Sequence, residues 1–510
     1  MAGRVSFVGA GPGDPRLLTL RGAELLACAD AVLYDEDVHP EALELAKPGA
    51  EKVSVPRTNE PEANVPDLVA RARLGSHVVR LFYGDPFAFR GGGIELAGVR
   101  QASIEVEVVA GVIAPTAAAA YCGLALSRYD DITPSVALAV VNEAEELHDW
   151  RKLSLATDTL ALITDLEQVL EITHTLTYYG RKPTTPAALV RDVSLPSQRV
   201  ALDTLVGIRK YIKDFGAGTV LLVVGESIAG RDALRWFDTR PLFGRRVLLT
   251  RTAEQAKRTA AALRERGAEP VVIPTIQLFP PEDPAPLEKA ARELGTYAWA
   301  AFTSENGVRA FFDCLTRQGL DGRAFGGVRI GVIGPGTAAA LAEHGLHADV
   351  VAKEFRGEGL AQAMLEAIGP DAAKAGARVL VARAKEAREA LPDALRQAGC
   401  HVDVVAAYET RAAPREVVER VRGLLEKRAV DAVTFTSAST VQGLCEALGQ
   451  DAPKLLSNVI VASIGPITTE AAVARGIEVT ITASTYTLDG LLMALESAFS
   501  RAKPTTSATR

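Results

Sequence analysis

Ala301-Phe302-Thr303-Ser304-Glu305-Asn306-Gly307-Val308 recurs as Thr434-Phe435-Thr436-Ser437-Ala438-Ser439-Thr440-Val441, and Ile333-Gly334-Pro335-Gly336-Thr337-Ala338 recurs as Ile464-Gly465-Pro466-Ile467-Thr468-Thr469. The offsets are 133 and 131 residues. Two motifs repeated in one order at nearly one spacing indicate two similar lobes, because the period is far too long for a solenoid. Each copy reads as an apolar strand ending in Thr-Ser or Gly-Pro, then hydroxyl-bearing residues, then an Ala/Leu-rich helix. The free backbone N–H groups at such a helix start, at Ser304, Thr337, Ser437 and Thr468, form anion sites without a cationic side chain. The competing explanation is purely structural, since Ser and Thr cap helices anywhere. A cleft between the lobes is the default place for a ligand.

Outward from this repeat, short β-branched runs alternate with helix-forming stretches along the whole chain, which is the pattern of an α/β protein. The pattern breaks at Asp238-Thr239-Arg240-Pro241 and Phe243-Gly244, which places a boundary near residue 240. At 510 residues the chain exceeds a single core, and the polar segment 501–510 reads as a fraying tail.

Apolar residues make up 48% of the chain and charged ones 23%, with a net charge of −7. No broad basic surface points to nucleic acid. Five cysteines and seven histidines lie without metal-ligand or disulfide spacing, so no metal is expected. The absence of a basic-then-apolar leader favours the cytoplasm. The uncharged stretch from Val108 to Leu126 is long enough to raise a membrane span, but Gly111, Pro115 and Gly123 break it, and a strand, turn and packed helix explain it better. No membrane partner is expected. No Walker loop or Ser/His/Asp order is present. Tyr408, ahead of Glu409-Thr410, is a phenol that can donate a proton in a water-poor cleft; alone, it reads more readily as a half-buried strand-end tyrosine.

Residues from about Gly244 to Phe499 resemble uroporphyrinogen-III synthase. The resemblance rests on Leu248-Leu249-Thr250-Arg251, the two Phe-Thr-Ser turns, the two Gly-Pro-x-Thr turns, Tyr408-Glu409-Thr410 and Tyr486-Thr487-Leu488-Asp489-Gly490-Leu491. It implies a lyase that closes hydroxymethylbilane to uroporphyrinogen III with inversion of the last pyrrole ring, using no cofactor. It also implies a first lobe of about 244–279 plus 410–500, a second of about 281–408, and a two-strand hinge. Tyr408 falls on the family's catalytic tyrosine. Thr303, Ser304, Thr337, Ser437, Thr468 and Thr487 fall on its substrate-binding cleft positions.

The first half opens with Gly9-Ala10-Gly11-Pro12-Gly13-Asp14, a poor dinucleotide fingerprint because the last Gly and a downstream acidic residue are missing. With Gly84-Asp85-Pro86-Phe87, Asp149-Trp150, Thr185-Pro186-Ala187-Ala188 and Gly225-Glu226, it resembles the tetrapyrrole methylases, most closely uroporphyrinogen-III C-methyltransferase. The implied unit is residues 1–240, with lobes of about 1–115 and 116–240 and S-adenosylmethionine held near Pro12, Gly13, Asp14, Gly84, Asp85, Pro86 and Ala188. The resemblance implies a homodimer through this half, a tetrapyrrole as the small-molecule partner, and a place on the way to sirohaem and cobalamin. The chain departs from the family where a Lys-Gly pair is replaced by Phe82-Tyr83, where Ile94 replaces a glutamate, and at Ile113-Ala114, Asn142 and Thr164-Asp165. The expected architecture is therefore a two-lobed methylase fold followed by a two-lobed synthase fold with a discontinuous first lobe. The expected function is an active synthase joined to a methylase-like half whose methyl transfer is weakened or lost. A fully bifunctional enzyme and a non-catalytic tetrapyrrole-binding regulator are the alternatives.

Overall fold

A computed structural model describes residues 3–56, 60–89, 91–128, 133–141 and 149–501. The polar tail, Asn142 and Arg90 lie outside the described residues. The chain divides into two compact units, one of Met1–Val247 with Thr259–Pro270 and Leu495–Arg510, the other of Leu248–Arg258 with Val271–Ala494.

The first unit holds two sheets. Strands β1 (Arg4–Gly9), β2 (Ala31–Asp35), β3 (Glu51–Val55), β4 (His77–Phe82) and β5 (Glu105–Val109) form an all-parallel sheet in the order β3-β2-β4-β1-β5. Val5, Phe7 and Val8 on β1 are fully buried, as a central parallel strand covered on both faces requires. The second sheet comprises β6 (Val136–Val141), β7 (Thr159–Asp165), β8 (Pro186–Arg191), β9 (Arg199–Thr204) and β10 (Thr219–Val224) in the order β6-β7-β10-β8-β9. Only β6 and β7 run parallel; β10 is antiparallel to both its neighbours, and β9 to β8. The uncharged stretch after Val108 resolves into the end of β5, a loop, and a helix Ala114–Cys122 stopped by Gly123 at φ +67°. No described helix is long and apolar enough to cross a membrane.

The synthase-like part begins with β11 (Arg246–Leu249) and β12 (Glu269–Val272) on either side of the helix Ala253–Glu265. The chain then leaves through β13 (Ile276–Phe279) for a second sheet built from β14 (Trp299–Phe302), β15 (Arg329–Val332), β16 (Val350–Val351), β17 (Arg378–Ala384) and the long β18 (His401–Ala412), ordered β13-β18-β17-β14-β15-β16. It returns along β18, and β19 (Ala432–Phe435), β20 (Ile460–Ser463) and β21 (Ile481–Thr482) complete the first sheet as β12-β11-β19-β20-β21. The antiparallel pairing of β13 with the end of β18, Ile276 opposite Ala412 and Phe279 opposite Glu409, is where the expected two-strand hinge falls.

Strand for strand the two orders match, β14-β15-β16 with β19-β20-β21 and β17-β18 with β11-β12. The lobes are thus the same fold in circularly permuted order. In one lobe the last two strands come last; in the other they come first. Gly376-Ala377-Arg378-Val379-Leu380 and Gly244-Arg245-Arg246-Val247-Leu248 are the matching entries to these strands, 132 residues apart.

Candidate functional site

In the second unit the site is built on turns at the carboxyl ends of parallel strands. Ser304 follows β14 in extended conformation and caps the helix Glu305–Arg317, its hydroxyl accepting the Gly307 N–H at 3.0 Å. The same oxygen lies 3.1 Å from the Tyr408 hydroxyl. Tyr408 reaches it because the β17–β18 register slips: Arg383 faces Ala406 but Ala384 faces Tyr408, leaving Ala407 as an extra residue. Such a bulge re-aims the next side chain. Ala407 points into the core and Tyr408 is left half-buried at its edge.

Ser437 repeats this cap on the helix Ala438–Leu448, accepting the Thr440 N–H at 3.3 Å while Thr440 Oγ1 accepts the Ser437 N–H at 3.3 Å. Thr303 is half-buried at the end of β14. Thr487, exposed, accepts the Gly490 N–H at 3.1 Å at the start of the last helix. Thr337 and Thr468 are buried, so each threonine is largely withdrawn from solvent at its Gly-Pro-x-Thr turn. The glycine of each turn seats an exposed aromatic ring: a Cβ on Gly334 would come within 3.1 Å of Phe355, and one on Gly465 within 3.1 Å of Tyr486. Phe355 was not singled out in the sequence, yet Phe355-Arg356-Gly357-Glu358-Gly359-Leu360 echoes Tyr486-Thr487-Leu488-Asp489-Gly490-Leu491 at the repeat offset.

The carboxyl ends of the two lobes meet here. Arg251, after β11, lies 3.6 Å from Glu305, and Gln255 hydrogen-bonds Asn306. At the hinge, Glu409 accepts the Glu282 N–H at 2.8 Å and pairs with Lys385 at 3.0 Å. The Glu282 amide first and Lys385 second hold its carboxyl below the usual range.

In the first unit, Gly11 and Gly84 exchange backbone hydrogen bonds of 3.2 and 3.0 Å, which ties the β1 and β4 loops together. A Cβ on Gly111 would fall 2.0 Å from the Gly84 carbonyl oxygen and 2.7 Å from Gly9 Cα, so three loops converge where only glycine fits. Above Gly84, at φ +74°, the space is open, the nearest atom to an added Cβ being Val112 O at 3.9 Å. Asp85 accepts the Phe87, Ala88 and Gly111 N–H groups, and Asp14 is paired with Arg16 at 2.7 Å. Both carboxylates therefore shape their own loops. The Asp14 N–H donates to Ser194 Oγ at 3.0 Å, which joins the lead loop to the second sheet's side of this unit. A Cβ on Gly13 would fall 2.5 Å from the Val193 carbonyl oxygen, and the Pro86 carbonyl accepts the Gly92 N–H at 3.1 Å. Ala188 is fully buried on β8, in a core with Ala117 and Val223 against which Leu17 and Val112 pack.

The two aromatics that replace the family's Lys-Gly pair, Phe82 and Tyr83, point different ways. Neighbouring strand residues face opposite ways, and Phe82 points into the core, against Phe7 at 6.1 Å and beneath Arg80 at 4.1 Å. Tyr83 alone turns toward the lead loop, its hydroxyl donating to the Pro12 carbonyl at 3.0 Å. Arg80 is itself buried between Asp35 at 2.6 Å and Glu95 at 3.0 Å. Burial outweighs this pairing and raises the Glu95 carboxyl. Among the described residues no cluster of His, Cys, Asp or Glu could hold a metal.

A glycine-loop cradle in one unit and a two-lobed cleft with hydroxyl-bearing turns in the other are the two candidate sites, and comparison with known proteins assigns a family to each half. Residues 4–208 match the tetrapyrrole (corrin/porphyrin) methylases and residues 257–493 match uroporphyrinogen-III synthase HemD. Porphyrin biosynthesis protein HemD of Ruminiclostridium josui is 33% identical over 482 residues, covering 92% of this chain and 93% of that protein. Uroporphyrinogen-III C-methyltransferase of Bacillus subtilis is 30% identical over 329 residues, covering 62% and 67%. A solved Thermus thermophilus uroporphyrin-III C-methyltransferase, complexed with S-adenyl homocysteine, is 33% identical over 44% of this chain and 98% of that one, with a TM-score of 0.39. The chain belongs to the family of porphyrin biosynthesis protein HemD, with a methyltransferase domain and a uroporphyrinogen-III synthase domain in one polypeptide.

Proposed function

We propose that the synthase domain closes hydroxymethylbilane to uroporphyrinogen III, and that methyl transfer in the other domain is weakened or lost. The observation that carries the first part is the Tyr408 hydroxyl 3.1 Å from Ser304 Oγ at a helix start. The phenol donates its proton to the substrate's hydroxyl as that C–O bond breaks; water leaves, and the terminal ring becomes an electrophilic azafulvene. The substituted carbon of the last ring attacks it, and the resulting spiro centre fragments and recloses with that ring inverted. Loss of one ring proton to the phenolate restores Tyr408. Helix-start N–H groups at the four turns hold carboxylate arms, which converts a floppy chain into an oriented one. No cofactor enters these steps.

In the methylase domain the cradle fits a ligand held by backbone groups of residues 10–13 and 84–88, since Gly84 leaves space above it and both aspartates serve their own loops. S-adenosylmethionine would supply the methyl group there. Tyr83 occupies the Pro12 carbonyl, one of the cradle's acceptors, and this supports weakened binding. We place the protein in the cytoplasm and expect a homodimer through the methylase domain.

The test gives the full-length protein hydroxymethylbilane and labelled S-adenosylmethionine and resolves products by isomer and mass. Type III ring without added methyls is the expected result. Methylated type III product would establish the fully bifunctional alternative. Only the spontaneous type I ring would overturn the synthase assignment and favour a binding protein.

A further inference from the structure

Beside Tyr408 the second unit has a half-open recess of about 240 Å³ whose lining includes Phe279, Pro280, Asn306, Arg309, Arg317 and Tyr408. This is below the roughly 300–1,000 Å³ of pockets that take a drug-sized ligand. It has room for one substituted pyrrole and is partly open to its surroundings.

The two walls differ in chemistry. The hinge side, with Phe279 and Pro280, is apolar. The facing helix Glu305–Arg317 presents Arg309, Asp313 and Arg317, spaced four residues apart and so stacked on one helical face. Arg309 reaches Glu343 only at 3.4 Å, and the neighbouring Arg251 reaches Glu305 only at 3.6 Å. Well-formed guanidinium–carboxylate bonds are about 2.7–2.9 Å, so these cations are loosely held and an incoming carboxylate competes for them. Arg317, at the end of the helix, is exposed.

We propose that this cavity seats the pyrrole that carries the hydroxymethyl group, its ring against Phe279 and Pro280 and its acetate and propionate arms paired with Arg309 and Arg317. The inference rests on the proposed role of Tyr408, because the departing hydroxyl must lie at the phenol and the ring bearing it must then occupy the recess the phenol lines. The reacting end of the substrate is thereby fixed by two ion pairs. The distal end is left free to swing for inversion.

The test uses the full-length protein and two ligands: hydroxymethylbilane in steady state, and a monopyrrole with one acetate and one propionate arm in a direct calorimetric titration. Arg309→Gln and Arg317→Gln each remove a charge-assisted hydrogen bond and are expected to weaken monopyrrole binding and raise KM about tenfold, with kcat within twofold. Arg309→Lys is expected to recover part of the loss. Arg323→Gln, which breaks the exposed pair with Asp321, is the control and should match wild type. If the Arg309→Gln/Arg317→Gln double variant binds the monopyrrole as wild type does, or loses kcat at unchanged KM, the seat is refuted. Should the wild-type protein make no type III ring, the proposed function falls, yet arginine-dependent monopyrrole binding would still uphold the seat.

Discussion

Replacing Ser304 separates a structural role from a chemical one, because a single oxygen serves both. It accepts the Gly307 N–H at 3.0 Å as a helix cap and lies 3.1 Å from the Tyr408 hydroxyl. Ser304→Ala removes both contacts. Loss of a serine cap costs about 1 kcal/mol, expected to lower Tm by about 2–4 °C for a unit of this size. Loss of a neutral hydrogen bond of about 0.5–1.5 kcal/mol, if it acts in the transition state, slows type III ring formation roughly 2- to 12-fold. Ser304→Gly keeps most of the cap, since glycine there costs only a few tenths of a kcal/mol, but still removes the hydroxyl. It should therefore lose rate without losing Tm. In the double variant with Tyr408→Phe the two rate effects should fail to multiply, because residues in contact are coupled. The assay is initial-rate formation of the type III isomer, alongside thermal unfolding of the same samples. Wild-type turnover in Ser304→Gly, or strictly multiplicative effects in the double variant, would refute a working contact between the serine and the phenol.

Glu95→Ala leaves Arg80 buried with Asp35 as its remaining carboxylate partner, and should destabilise the first unit by about 3–5 kcal/mol in denaturant unfolding. Because the Glu95 carboxyl is raised in the folded chain, its protonation favours the native state, so its contribution to stability rises as pH falls toward the ordinary value of 4.5; the pH dependence of unfolding should lose that component in Glu95→Gln. The hinge behaves oppositely. Glu409 is held low, so its contribution is present above 4.5 and is lost as pH falls through its lower folded value; limited proteolysis near residues 276–282 should accelerate with acid, and Lys385→Met should move that onset to higher pH. Tyr83→Gly frees the Pro12 carbonyl, and calorimetric titration should show tighter S-adenosylmethionine binding than wild type. Equal or weaker binding would remove Tyr83 as the cause of a weakened methylase domain.

The repeated turns were legible because both copies keep one order and nearly one spacing. The match of β11–β12 with β17–β18 was not, because permutation places it before one lobe's core and after the other's, where a search for motifs in the same order does not look. The Ser304–Tyr408 contact depends on a one-residue bulge at Ala407 that leaves no mark in composition. Alternation carried one residue past β4 puts Phe82 and Tyr83 on opposite faces, and only Tyr83 bonds the lead loop. Thr337 and Thr468 are buried at their turns while Thr487 is exposed, a difference the motif spacing does not carry. The Arg80–Asp35–Glu95 cluster joins residues from three separate elements, and nothing short of the fold brings them together. Arg309, Asp313 and Arg317 do show helical spacing in the sequence, but a charged stripe on a helix is usually a solvated face, and only the cavity distinguishes this one.

The permutation also sets an order of assembly during synthesis. Strand β11 pairs directly with β19, which begins some 180 residues later. At roughly 5–20 residues per second on the ribosome, that neighbour emerges about 10–40 s after β11 does. The whole of the inserted lobe, an uninterrupted stretch of chain, is complete before then. The inserted lobe is thus able to form first, with the discontinuous one closing around it last, so the cleft comes into being only when the final third of this half has been made.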